Sequence, residues 1–262
     1  MKIVQLSDLH LTRPEAELFG SSPLARLELA IDDILGQHAD ADFCLLTADL
    51  ADAGGDDAYA ALAAALRRLP MPCHLLPGNH DQRAALRRHF PHLPGANDDF
   101  IQTALATPAG RFLLLDTLEA GKPLGSYCAQ RRAWLAEQIA ASDGAPLWLA
   151  MHHPPFAVGI PTMDQYALRD GETFRELIAP YRPRIRHLFL GHLHRPIGGS
   201  WHGIPFSCTS SPNHQVALDM TTTGADVPGC REPAGYAVIL IDAEQVVVHH
   251  RQLFNGETCF RL

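Results

Sequence analysis

Short apolar runs alternate with amphipathic helical segments along most of this chain, and several of the runs end on Asp, Asn or His. That alternation narrows the fold more than any single motif. Residues 2–7 (KIVQLS) read as a buried strand, and 23–37 place Leu24, Leu27, Ile31, Ile34 and Leu35 at helical spacing. Residues 42–47 read as the next strand, the Ala-rich 57–68 as a helix, 73–76 as a strand and 81–89 as a helix. This rhythm predicts α/β units around a largely parallel sheet. Further on, 99–106 and 111–116 read as a hairpin closed near Pro108–Ala109–Gly110, 130–140 as a helix, 147–151 as a strand and 171–179 as a helix. Strands follow at 186–190, 197–201, 204–208, 236–241 and 245–250, the later ones in hairpin order. The expectation is one domain over 1–262 with two stacked sheets and helices outside. The polar, turn-rich stretch 211–235 reads as a long loop or inserted segment.

Composition sets the outer limits. With 262 residues, 47% of them hydrophobic, the chain can build a sizeable core without disulfides or structural metals. Its net charge of −8, from 29 acidic and 21 basic residues, argues against a protein that coats nucleic acid or an anionic bilayer. No stretch approaches the ~18 apolar residues of a membrane span, and the first apolar run is too short for a signal peptide. Cysteines at 44, 73, 128, 208, 230 and 259 form no CxxC pair, and Cys44 and Cys208 sit in apolar runs. A reducing, cytoplasmic setting is therefore expected.

The chemistry-bearing residues sit where the apolar runs stop. Asp8 and His10 follow 2–7, Asp49 follows 42–47, and Asn79, His80 and Asp81 follow 73–76 across Pro77–Gly78. His152 follows 147–151, and His192 and His194 follow 186–190. Ligands of open α/β sheets gather beyond the carboxyl ends of the strands, so these donors are expected to share one crevice. Asp8-x-His10 and His192-x-His194 would each point to one side if the backbone there is extended. Gly78 and Gly191 suit close backbone approach, and Pro154 and Pro155 stiffen the exit after His152.

Carboxylates, imidazoles and one amide, with no thiolate, favour first-row ions such as Mn, Fe, Co or Zn. The seven donors exceed what one tetrahedral ion needs, so two ions sharing a bridging carboxylate are expected. Two divalent ions carry more positive charge than Asp8 and Asp49 cancel, and the excess suits a hydroxide attacking an anionic phosphate. His153 is read as structural or supporting. His38, His74, His89, His92, His249 and His250 are read as ordinary surface or core histidines.

Taken in order, SDLH, TADL, GNHD, MHHPP and GHLH resemble the calcineurin-like metallophosphoesterase superfamily, over residues 7–194. The resemblance implies a four-layer αββα sandwich. It implies that Asp8, His10, Asp49 and His194 hold one metal and that Asp49, Asn79, His152 and His192 hold the other, with Asp49 as the bridge. His80 would contact the phosphate and protonate the leaving oxygen, and Asp81 would either orient His80 or stabilise its turn. The family usually has Gly-Asp in the second block, where this chain has Ala48–Asp49.

Less specific segments, LFG at 18–20, MHHPPFAVGIPTMD at 151–164 and SSPNHQV at 210–216, resemble bacterial class III cyclic-nucleotide and glycerophosphodiester phosphodiesterases. That likeness implies hydrolysis of small phosphodiesters by a hydroxide bridging two ions, Fe or Mn first and Zn or Co as alternatives. Asn79, His80 and His214 would contact the substrate, and a homo-oligomer of two or more copies is expected. Competing readings are a phosphomonoesterase on the same centre, a nuclease and a catalytically silent scaffold. The acidic charge disfavours a nuclease, and the intact donor set disfavours a scaffold.

Overall fold

Strand β1 (Lys2–Leu6) shows the packing logic of the molecule: Ile3 faces one apolar layer, and Val4 and Leu6 face another. The computed structural model describes residues 1–94 and 100–253. After β1 come α1 (Pro23–Gln37), β2 (Phe43–Leu46), α2 (Asp56–Leu66), β3 (Cys73–Leu75) and α3 (Arg83–His89). The hairpin β4 (Thr103–Thr107) and β5 (Gly110–Leu115) leads to α4 (Ala129–Ala140), β6 (Leu147–Met151), the short α5 (Pro161–Asp164) and α6 (Gly171–Ile178). A 3-10 turn (Ala179–Arg184) precedes β7 (Ile185–Leu190), β8 (Ile197–Trp201) and β9 (Ile204–Cys208). The ribbon β10 (Gln215–Val216) and β11 (Gly229–Cys230) precedes β12 (Gly235–Ile241) and β13 (Val246–Gln252).

One sheet has the order β13-β12-β1-β2-β3, parallel from β1 to β3 and antiparallel beyond β1. The other runs β4-β5-β6-β7-β9-β8, parallel from β5 through β9. Ile3, Phe43 and Leu45 meet Phe112, Trp148 and Phe189 between the sheets. Val4, Cys44 and Leu46 pack outward with Leu27 and Ile31 of α1 and Leu62 of α2. Leu113, Leu149 and Leu188 pack outward with Leu135 of α4 and Phe174 of α6. The result is helix–sheet–sheet–helix, the four-layer sandwich expected. One polar side chain crosses the middle: Gln5 Nε2 donates to Thr47 Oγ1 and to the Leu190 carbonyl, both at 3.0 Å, tying the sheets together just below their carboxyl ends.

Several boundaries differ from the sequence reading for local reasons. Helix α3 begins at Arg83 rather than 81, because the Asp81 carboxylate is committed to the preceding turn. Helix α1 starts as its sequence dictates, with the Ser22 hydroxyl accepting from the Ala25 N–H at 3.2 Å and Pro23 at the first helical position. The stretch 211–235 is not a plain loop, since β10 and β11 pair antiparallel and pin it into an arm. The hairpin strand expected from 99 starts at Thr103, and Asp99 and Cys259 lie outside the described residues. Among the described residues no helix is long and apolar enough to cross a membrane.

A pH test of the fold arises at the outer helix layer. Asp33 of α1 accepts from Arg251 of β13 at 2.9 and 2.7 Å and from the Tyr236 hydroxyl of β12. Its bond to Arg251, ahead of the opposing effect of burial, holds the Asp33 carboxyl below its ordinary value. A depressed folded value stabilises above the unfolded carboxyl value near about 3.9, and the gain is lost as pH falls through the folded value. Asp33→Asn is therefore expected to cost about 1 kcal/mol at pH 7 after solvent screening. Urea melts at pH 7 and near pH 3 check it; the variant's deficit should shrink in acid.

Candidate metal centre

Donors from both sheets meet where the parallel strands end. Asp8 and His10 follow β1, Asp49 follows β2, Asn79 follows β3, His152 follows β6, and His192 and His194 follow β7. The backbone route differs from the extended one expected. Asp8 (φ 57°), His10 (46°), Ala48 (86°), Asp49 (45°), His192 (71°) and His194 (49°) all lie in the left-handed region. Non-glycine residues pay for that conformation, and such residues cluster at functional sites. The Asp-x-His and His-x-His pairs are thus aimed by tight left-handed turns rather than by the pleat of a strand. The cradle is close: a Cβ on Gly78 would lie 2.1 Å from Asp49 Oδ1, and one on Gly191 would lie 2.3 Å from the Thr47 carbonyl.

Tautomers decide what the site holds. The His10 Nδ1–H donates to Asp52 Oδ1 at 3.1 Å, and the His194 Nδ1–H donates to the His214 carbonyl at 3.0 Å. Each ring therefore presents a lone pair at Nε2, yet the two Nε2 atoms stand 3.1 Å apart. The His152 Nδ1–H likewise donates to the Thr47 carbonyl at 3.0 Å. Its Nε2 lone pair then faces Asn79 Oδ1 at 3.1 Å and Asp49 Oδ2 at 3.2 Å. Acceptors opposed at such distances repel unless a proton or a metal cation sits among them. Asp8 Oδ2 and His192 Nε2 are also buried without a hydrogen-bond partner among the described residues. The donor set fits metal ions. The donor atoms of Asp8, His10, Asp49 and His194 lie within 4.8 Å of one another, the grouping expected for one ion.

The same crowding shows in protonation. Burial, followed by the charge of Asp49, pushes the Asp8 carboxyl up to about 6. Burial disfavours a charged His152, but the carboxylates of Asp49 and Asp8 hold its imidazole up at about 9. Burial and then the charge of His10 press His194 down to about 3. Four imidazoles and two carboxylates at the bottom of one crevice compete for few protons, which is the chemistry of a cation site.

The other expected residues fall around this core. The His80 N–H donates to Asp49 Oδ1 at 3.0 Å, and its ring Nδ1–H donates to the Asp52 carbonyl at 2.7 Å. Asp81 has the turn-stabilising position of the two considered. It accepts from the N–H groups of Leu50, Ala51 and Gly78 and from the Tyr59 hydroxyl, and makes no bond to the His80 ring. The His214 ring lies 4.6 Å from His194 and 4.9 Å from His10, against Phe19. His153 is buried beside His152, bonded to Thr117 Oγ1 at 2.8 Å and to the Pro123 carbonyl at 3.3 Å.

Asp52 is a residue of the candidate site that sequence reasoning missed. It orients His10 with its carboxylate and His80 with its carbonyl, and its only sequence signal is its place three residues after Asp49. A cavity of about 910 Å³ opens over the centre, lined by His80, His194, His214, Phe19, Arg26 and Arg231 among others.

Comparison with known proteins agrees with this geometry. The calcineurin-like phosphoesterase family model matches residues 1–196. The chain is 39% identical over 265 residues to a probable cyclic nucleotide phosphodiesterase of Rhodopseudomonas palustris, covering 100% of this chain and 96% of that protein. It is 29% identical to a probable glycerophosphodiester phosphodiesterase of Arcobacter nitrofigilis, covering 84% and 81%. A dimetal phosphatase from Danio rerio shares the fold with a TM-score of 0.72 at 13% identity, covering 97% of this chain and 96% of that one. The converging strand ends, the opposed lone pairs and the match over three quarters of the chain lead to one conclusion: this protein belongs to the calcineurin-like phosphoesterase family.

Proposed function

We propose that the protein hydrolyses small phosphodiesters, of the 3',5'-cyclic nucleotide or glycerophosphodiester type, to a phosphomonoester and an alcohol. The observation that carries the reading is the buried cluster of Asp8, His10, Asp49 and His194, whose donor atoms lie within 4.8 Å of one another, with His152 Nε2 3.2 Å from the same Asp49. Asp8, His10, Asp49 and His194 would hold one ion, and Asp49, Asn79, His152 and His192 the other. First-row ions suit these donors, Mn or Fe first. When bound, such ions supply Lewis acidity and make water nucleophilic at neutral pH. The names of the two curated relatives support diesters as the substrate class, and a cavity of about 910 Å³ admits a nucleotide-sized ligand.

The chain's own residues handle orientation and protons. Asn79 turns Oδ1 towards His152 Nε2 and the metal site, which leaves its amide NH₂ to donate to a nonbridging phosphate oxygen. The carbonyl of Asp52 fixes the Nδ1–H of His80, so that Nε2 takes up and delivers the proton to the leaving oxygen. Two measurements test the reading after reconstitution with Mn, Fe, Co and Zn in turn. Bis(p-nitrophenyl) phosphate should be cleaved with a higher kcat/KM than p-nitrophenyl phosphate; the reverse order would make the protein a phosphomonoesterase. His80→Ala should slow alkyl diesters by roughly 10²-fold or more while slowing aryl diesters less, with metal content unchanged. Equal losses on both leaving groups would remove His80 from proton transfer.

A further inference from the structure

Two arginines on the wall of the same cavity have no evident structural task. Arg26 lies near the amino end of α1, where a cation opposes the helix dipole. Arg231 follows β11 on the arm. Neither guanidinium has a hydrogen bond or ion pair among the described residues. Arg195, by contrast, takes Glu232 at 3.0 Å and the Val216 carbonyl at 2.7 Å.

The acids that line the cavity are already engaged. Asp52 bonds His10, Glu232 pairs with Arg195, and Asp49 belongs to the metal centre. Among the described residues the positive charges of Arg26 and Arg231 therefore have no acidic partner, in a protein whose net charge is −8. Contacts place Arg231 relative to the chemistry. Its guanidinium lies against Gly20, where a Cβ would come within 3.3 Å of Nη2. Phe19, next in that turn, packs on His214, which packs on His194. Arginines on the wall of a cavity that opens over such a centre are suited to phosphate oxygens.

We propose that Arg26 and Arg231 form a second anion subsite, which binds a phosphate carried by the substrate in addition to the scissile one. The proposal rests on the phosphodiester reading for the reaction but not for binding. It predicts that the preferred substrates are nucleotide diesters with an extra phosphate.

Binding tests it first. Calorimetric titration of the metal-loaded protein with adenosine 3',5'-bisphosphate and with adenosine 5'-monophosphate should show the bisphosphate binding roughly tenfold tighter. The affinity ratio should fall towards one in the Arg26→Gln, Arg231→Gln double variant and persist in the Arg26→Lys, Arg231→Lys pair, which keeps the charge. Equal affinities in the wild type, or an unchanged ratio in the glutamine pair, would overturn the subsite. Thermal melts of both pairs establish that they are folded. Turnover of thymidine 5'-(p-nitrophenyl phosphate) and of its 3'-phosphate then separates the two ideas. A binding preference for the bisphosphate with no cleavage of either diester sinks the diester reading and leaves the subsite standing. A higher kcat/KM for the 3'-phosphorylated diester supports both.

Discussion

Asp49→Ala is expected to cut diester turnover by at least roughly 10³-fold, about 4 kcal/mol of barrier, and to lower the metal content of the protein. One carboxylate serves three partners here. Oδ2 lies 3.6 Å from His10 Nε2 and 3.2 Å from His152 Nε2, so it faces both donor groups. Oδ1 accepts the His80 N–H and holds that residue's loop over the centre. Burial would raise the Asp49 carboxyl, but the imidazoles of His152, His10 and His80 hold it well below its ordinary value. It is therefore held as a carboxylate at neutral pH, where it would serve as a ligand shared by two cations. Asp49→Asn keeps the shape and removes the charge, and is expected to lose metal nearly as fully. Elemental analysis beside a turnover assay checks both variants. Full activity with unchanged metal in Asp49→Ala would remove Asp49 from the centre.

The largest effect on stability is expected from Asp116→Ala, at about 3–5 kcal/mol. Asp116 follows β5 and is fully buried. It accepts from Arg83 Nε at 2.6 Å and Nη2 at 2.7 Å, from the Ile101 N–H at 2.8 Å and from the Leu118 N–H at 3.0 Å. The nearly buried Arg131 guanidinium approaches the same carboxylate at 3.8 Å and bonds the Asp116 carbonyl at 2.9 Å. Both guanidinium groups lie over the Phe100 ring, at 5.0 and 4.4 Å. Truncation would leave two cations and two N–H groups without their shared acceptor, in a place water reaches poorly. For a chain of this length the expected fall in Tm is roughly 10 °C. Chemical denaturation followed by circular dichroism measures it, and a loss under 1 kcal/mol would show that the network relaxes to solvent.

How much was legible depended on the range of the contacts. The placement of donors after apolar runs needed only local pattern, and all five strand ends do converge. The extended geometry assumed for Asp8-x-His10 was wrong, because strand β1 stops at Leu6 and the next residues curl into the left-handed region. Local pattern does not reveal such strain. Surrounding contacts impose it, here Asp8 N to the Ala48 carbonyl at 2.9 Å and His10 N to the Asp49 carbonyl at 2.8 Å. Ala48 sits at φ 86°, a conformation glycine adopts without penalty, which gives the Ala departure in the second block a structural meaning. Asp81 was legible as important, but which of its two roles applied depended on where Leu50, Ala51 and Tyr59 came to rest.

By itself, the order of apolar runs and polar punctuation determined the layered α/β architecture and the residues that gather at its strand ends. Periodicity and strand-end position are properties of short stretches, and burial of the apolar faces leaves few ways to stack them. The tertiary structure decided the ring tautomers, the part played by Asp52, the pairing that turns 211–235 into an arm, and the placing of two arginines in the cavity with no partner among the described residues. Each of these depends on atoms from distant segments meeting within a few ångströms. His10 and Asp52 are 42 residues apart, and His10 and His194 are 184 apart. Hydrogen-bond direction and charge compensation exist only once both partners are in place.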